Sequence, residues 1–188
     1  MSGAVGRPGV YEVPFGTPLV RLLSDAGGVR GEPQAFLVGG YFGAWVTAAS
    51  ARRLELSEAS LREHGAALGA GALAVLPATA CGLIETARVT RYLASESAGQ
   101  CGPCVFGLDA IARALEHLAL PARGGVVPPR LEHWLEQVRG RGACRHPDGT
   151  AHFVASALEA FKAELDLHLR GHCTGKGAPV LPLTGSLA

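Results

Sequence analysis

SESAGQCGPCVFG, Ser95 to Gly107, carries two thiols three positions apart, Cys101 and Cys104, set among glycines and a proline. Three positions before Cys101, at a place where a third thiol would continue the spacing, stands Ala98. Glycine and proline favour tight turns, and such turns aim backbone N–H groups and side chains at one point. The stretch reads as a loop, because the residues on either side of it have helical periodicity.

Before the loop, Leu83, Ile84, Ala87 and Ala94 fall on one face of a first helix. After it, Leu108, Ile111, Ala112, Leu115, Leu118 and Ala119 follow the i, i+3, i+4, i+7 rule. A third, shorter helix has Pro129 near its start and then Leu131, Trp134, Leu135 and Val138. The last is long, with Val154, Ala157, Leu158, Phe161, Leu165 and Leu169 on one side. Four amphipathic segments with short connections predict a four-helix bundle over residues 79–171. Pro121–Pro129 reads as a loop between helices, and residues 172–188 as a disordered tail.

Residues 9–78 have a different texture and read as a small α/β unit, so the fold class is α+β. VYEVPF (Val10–Phe15) has strand-like content, and AFLVGG (Ala35–Gly40) and ALAVLP (Ala72–Pro77) are short apolar runs bounded by Gly and Pro. TPLVRLLSDAGG predicts a helix with Thr17 as N-cap, Pro18 at its first position and Gly27 past its end. SEASLREHGAAL predicts another, capped by Ser57 or Ser60. The glycines of GGYFG, Gly39, Gly40 and Gly43, suit a tight turn better than a phosphate cradle, because no helix and no G-x-G-x-x-G spacing follows.

Composition narrows the function classes. The 188 residues are 48% hydrophobic, and 17 Lys plus Arg are balanced by 16 Asp plus Glu for a net charge of +1. That balance gives no electrostatic footprint for nucleic acid. No apolar run reaches the ~18–20 residues that span a bilayer, and the N-terminus lacks the apolar region of a signal peptide. The expectation is a cytoplasmic chain with reduced thiols, and five cysteines, an odd number, argue against a disulfide framework.

On this outline Cys101 and Cys104 lie between the first and second helices, and Cys144, in RGACRHPDG, lies between the third and fourth. In an up-down bundle those two loops share one end, so three thiols distant in sequence converge. Spacing alone leaves three readings open: an iron–sulfur cluster, a zinc ion with His146 completing a Cys3His set, and a metal-free loop. Cys81 starts the first helix and Cys173 follows the last, each a bundle length away from that end. They read as a small buried hydrophobe and a free tail thiol. His117, His133, His152 and His168 read as helix-face residues, and the His-Cys pair of RGHCTGKG as a weak metal signal. Arg52 and Arg53 read as a solvated face, and no Ser–His–Asp or paired-carboxylate spacing stands out.

ESAGQCGPC followed about forty residues later by GAC resembles the C-terminal part of the flavoprotein (F) subunit of NADH:quinone oxidoreductase, respiratory complex I. EVPFGTPLVRLLSDAGGVRG and VGGYFGAWV resemble the β-grasp domain of soluble-ligand-binding (SLBB) type that precedes the bundle there. The resemblance implies a β-grasp, ubiquitin-like domain over 9–78 and an iron–sulfur bundle over 79–171. It matches Cys101, Cys104 and Cys144 to ligands of a [4Fe–4S] cluster and puts Ala98 in the place of the first cysteine. A methyl group binds no iron, so another ligand (Ser97, Glu96, Gln100, His146 or solvent) or a [3Fe–4S] cluster is implied. The family's FMN- and NADH-binding domain has no counterpart among these residues. Both cofactors are therefore expected only through a missing domain or a partner, with a ferredoxin-like or membrane acceptor receiving electrons. Through such a partner the chain would sit peripherally at the inner membrane face. The expectation is an electron-transfer module; its alternatives are a cluster-less docking domain and a zinc-stabilised binding module.

Overall fold

Alternation along short strands divides the interior into two cores. The computed structural model of the chain describes residues 1–121, 130–175 and 178–183. Strands β1 (Ser2–Gly3), β2 (Pro33–Val38), β3 (Ala44–Thr47) and β4 (Leu73–Pro77) form one sheet in the order β1-β4-β2-β3. β1 runs parallel to β4, and the other pairs are antiparallel, with Leu37 opposite Trp45 on one side and Ala74 on the other. Successive side chains of a strand point to opposite faces. Phe36, Val38, Val46 and Val75 therefore face helices α1 (Leu19–Asp25), α2 (Ala48–Ala51) and α3 (Glu58–Glu63). Ala35, Leu37, Trp45, Ala74 and Leu76 face the second half of the chain.

That half consists of α4 (Gly82–Ser95), a π-helical turn (Pro103–Leu108), α5 (Asp109–Ala119), α6 (Leu131–Val138), α7 (His146–Ala160) and α8 (Lys162–Leu169). The fold is α+β, and its two halves are fused through one hydrophobic cluster. The indole of Trp45 packs on Phe153 and edge-on to Phe161, with centroids 6.2 and 5.1 Å apart, and the Trp45 backbone N–H donates to Ser156 Oγ at 3.0 Å. Gly82 opens α4 because a Cβ there would lie 2.3 Å from the Phe161 ring.

The predicted strands at 35–40 and 72–77 stand as β2 and β4, and Ser57 caps α3 by accepting from Ser60 N at 3.3 Å. Gly39 and Gly40, at φ +95° and +84°, make the turn from β2 to β3. VYEVPF is not a strand: Val10 and Phe15 are exposed, and the sheet position beside β4 is filled by Ser2–Gly3. The sheet unit thus begins before residue 9. Thr17 does not cap α1, since its hydroxyl donates to Pro14 O at 2.7 Å and the extended Pro18 precedes the helix. The expected single last helix is two, interrupted at Phe161, whose φ of −110° and ψ of 26° leave the helical region where the ring turns into the core. Of the loop predicted at Pro121–Pro129, residues 122–129 lie outside the described residues.

The tail departs most from expectation. Residues 176–177 and 184–188 lie outside the description, but Leu181 is buried, and the N–H groups of Val180 and Leu181 donate to Glu85 at 3.1 and 2.9 Å. Glu85 is itself buried and accepts from Arg88 at 3.0 Å. A carboxylate with three donors replaces the solvation it lost, and the chain end gives up its freedom in exchange. Replacing Glu85 by Ala leaves two N–H groups of the returning chain without an acceptor. A loss of about 2–4 kcal/mol is expected in denaturant unfolding, with proteolysis of the segment after Gly171 becoming faster.

Candidate metal centre

Three thiols meet where α4 ends and α7 begins. Arg91 ties α4 to α5: its Nε and Nη2 form a bidentate pair with Glu116 at 2.7 Å each, and Nη1 reaches Asp109 at 2.8 Å. The segment between those helices is thereby held at both ends. Within it the Cys101 carbonyl accepts from the N–H groups of Cys104 and Val105 at 3.1 and 3.0 Å, opening the π-helical turn with Pro103 in its first position. Gly107 lets that turn press on α6, since a Cβ would lie 2.3 Å from Val138 Cγ1. The loop before α7 is closed by Asp148, which accepts from Gly140 N at 2.6 Å and from Arg145 at 2.9 Å. These contacts hold its carboxyl below the usual carboxylate range, the Gly140 N–H first.

Cys101 and Cys104 belong to the first loop and Cys144 to the second, and the two loops touch. The Cys101 thiol receives the backbone N–H groups of Ala143 and Cys104, which hold its pKa below that of an ordinary thiol. Burial first, then contact with Cys101 and the nearness of Cys144, pushes Cys104 up to about 11. Cys104 is buried, Cys101 partly so, and Cys144 exposed. N–H groups directed at thiolate sulfur are donors that an iron–sulfur cluster uses to offset its negative charge, so the set fits such a group. It offers three thiols, and Ala98 adds none. His146 stands at the first position of α7, where its Nε2 donates to Leu93 O at 2.8 Å and its ring meets Phe42 edge-on. That bond puts the proton on Nε2 and leaves Nδ1 with its lone pair.

Cys81 and Cys173 lie at the far end of α4, about 21 Å away along its 14 residues. They are not isolated, however. Cys81, Glu164, His168 and Cys173 bring their ligand atoms within 4.8 Å of one another, the only such group of His, Cys, Asp and Glu among the described residues. The sequence does not reveal this group, because its members come from three segments and the chain after Gly171 reads as a free tail. The i, i+4 spacing of Glu164 and His168 is the signal available. Among the described residues, no group of that compactness includes Cys101, Cys104 or Cys144.

The thiol environments predict an order of alkylation in the metal-free, reduced chain. At pH 7.5 iodoacetamide is expected to modify Cys101 and Cys144 well before Cys104, because the thiolate is the reactive form. Peptide mass spectrometry over time reads the order, and a Cys104 that reacts as fast as Cys101 would contradict the loop geometry.

Residues 84–168 match the family model described as the NADH-ubiquinone oxidoreductase-F iron-sulfur binding region, and residues 1–40 match the SLBB domain. The chain is 29% identical over 183 residues to the F subunit of the NADH-quinone oxidoreductase of Streptomyces coelicolor, covering 97% of this chain and 40% of the relative. It is 32% identical over 176 residues to the corresponding F subunit of Mycobacterium tuberculosis, covering 91% and 39%. A crystal structure of an NAD+-reducing [NiFe]-hydrogenase in the H2-reduced state aligns with a TM-score of 0.78 at 26% identity, over 90% of this chain and 29% of that one. The chain spans about two fifths of the length of the curated relatives it matches. The two regions occur in the same order in which sheet and helices follow one another here: the chain matches the SLBB and iron–sulfur-binding part of the NADH-quinone oxidoreductase F subunit family.

Proposed function

We propose that Cys101, Cys104 and Cys144 hold an iron–sulfur cluster and that the chain is the electron-transfer module of an NADH:acceptor oxidoreductase. The observation that carries this is the meeting of three thiols from two loops inside the region matched to the family's iron–sulfur site. In this reading the sheet and α1–α3 are a β-grasp unit of SLBB type, and α4, α5, α6 and the interrupted α7–α8 form the iron–sulfur four-helix bundle. The cluster, when bound, supplies one-electron redox chemistry. The chain supplies the thiols, the Ala143 and Cys104 N–H groups that offset their charge, and a partly buried setting that limits solvent. A flavin- and NADH-binding domain or partner subunit provides electrons, and a ferredoxin-like or membrane acceptor removes them. Val105 and Phe106, exposed beside Cys104, give this end an apolar rim suited to such a partner.

Ala98 leaves one ligand position to something other than cysteine. His146 is the candidate with a free ring nitrogen nearby in sequence, and an imidazole in place of thiolate raises the reduction potential. Anaerobic reconstitution followed by iron and sulfide analysis and EPR tests the reading. Bound iron and sulfide are expected in the natural chain and their loss in a Cys101→Ser/Cys104→Ser/Cys144→Ser variant; a colourless, iron-free product would end it. Ala98→Cys supplies the thiolate that the loop lacks. Its reconstituted form is expected to have a lower midpoint potential than the parent, read by EPR-monitored redox titration.

A further inference from the structure

The group at the other end of α4 has the chemistry of a second metal site. His168 is fully buried, and its Nδ1 lies 2.9 Å from Leu118 O. A carbonyl only accepts, so Nδ1 carries a proton. In the neutral imidazole Nε2 then bears a lone pair. That atom stands 3.2 Å from Glu164 Oε1 and 3.4 Å from Cys81 Sγ. A lone pair facing a carboxylate oxygen at that distance needs something between them, either a proton held by one of the two groups or a metal ion.

Three features favour the metal. Cys173 joins the same group, and a proton shared by His168 and Glu164 gives no reason for a second thiol there. The 3.2 and 3.4 Å separations lie close to the roughly 3.3–3.6 Å between a nitrogen and an oxygen or sulfur ligand of a tetrahedron built on ordinary zinc bond lengths, and all four ligand atoms lie within 4.8 Å of one another. The surroundings orient two of the ligands: Leu118 O fixes the His168 tautomer, and the Thr174 N–H and hydroxyl hold the Glu164 carboxylate. The path of the chain is also specific. At Gly175 a Cβ would lie 2.4 Å from the Cys81 nitrogen, so only glycine lets the segment pass this close.

We propose that Cys81, Glu164, His168 and Cys173 form a structural zinc site that clamps the segment after α8 to the start of α4. Two sulfurs, one imidazole nitrogen and one carboxylate oxygen make a tetrahedral donor set of the kind zinc takes. The site shares no residue with the proposed iron–sulfur centre and does not depend on it.

The test uses the full chain carrying Cys101→Ser, Cys104→Ser and Cys144→Ser, in which Cys81 and Cys173 are the remaining thiols. Stripped of metal and kept reduced, it is titrated with Co2+. About one equivalent is expected to bind with the visible bands of tetrahedral cobalt and a thiolate charge-transfer band, and Zn2+ should displace it. Adding Cys173→Ser, a change at a partly exposed position, is expected to weaken Zn2+ binding by about 100-fold or more, and Glu164→Gln to weaken it less. Zinc should raise the melting temperature of the triple variant and not that of the Cys173→Ser chain. Absence of tetrahedral cobalt in a folded triple variant, as judged by circular dichroism, would overturn the proposal. So would zinc affinity that Cys173→Ser leaves unchanged. Neither result bears on iron loading of the natural chain.

Discussion

The contact of Trp45 with Phe153 and Phe161 positions everything downstream of the sheet. An indole buried on two aromatic rings, with its backbone N–H bonded to Ser156, removes a large apolar area from water and fixes the register of α7 against β3. Because α7 cannot slide, its first residue, His146, meets Phe42 of the β2–β3 turn and Leu93 near the end of α4. The loop carrying Cys144 then has one place to go, against the loop carrying Cys101 and Cys104. A sheet contact that involves none of Cys101, Cys104 and Cys144 thus determines where those thiols are.

The two ends of the helical half differ in construction. At the end with Cys101, Cys104 and Cys144 the thiols lie on turns, one of them exposed, beside an apolar rim of Val105 and Phe106. That arrangement suits a redox group that must lie near a partner. At the other end Cys81, Glu164 and His168 are buried, and the neighbouring backbone is packed so closely that only glycine fits at 175. That arrangement suits holding rather than exchange. The carboxylate of Glu85 extends the same function by accepting two N–H groups from the returning chain.

Local signals are legible where they act alone. The periodicity of Ile111, Ala112, Leu115 and Leu118 marks α5, because burying one face of a helix requires that spacing and little else. The Ser57 cap is legible for the same reason: it acts within three residues. VYEVPF misleads, because β propensity says that a segment fits a pleated surface and not that a partner strand is free to receive it. The strand Ala44–Thr47 is hidden inside a glycine-rich stretch that also reads as a turn, and α8 is hidden because Phe161 continues the helical pattern while breaking the helix.

The sequence by itself determined the α+β order, the helical faces and the pairing of Cys101 with Cys104, since each depends on residues close in the chain. The motif around them was specific enough to indicate the family. Tertiary structure alone decided which backbone group, the Ala143 N–H, faces Cys101, and that the chain end folds back to bring Cys173 to Cys81. Those contacts cross about 40 to 90 residues, and no local propensity encodes them; they follow from how one shared core sets the angle at which each helix leaves the sheet.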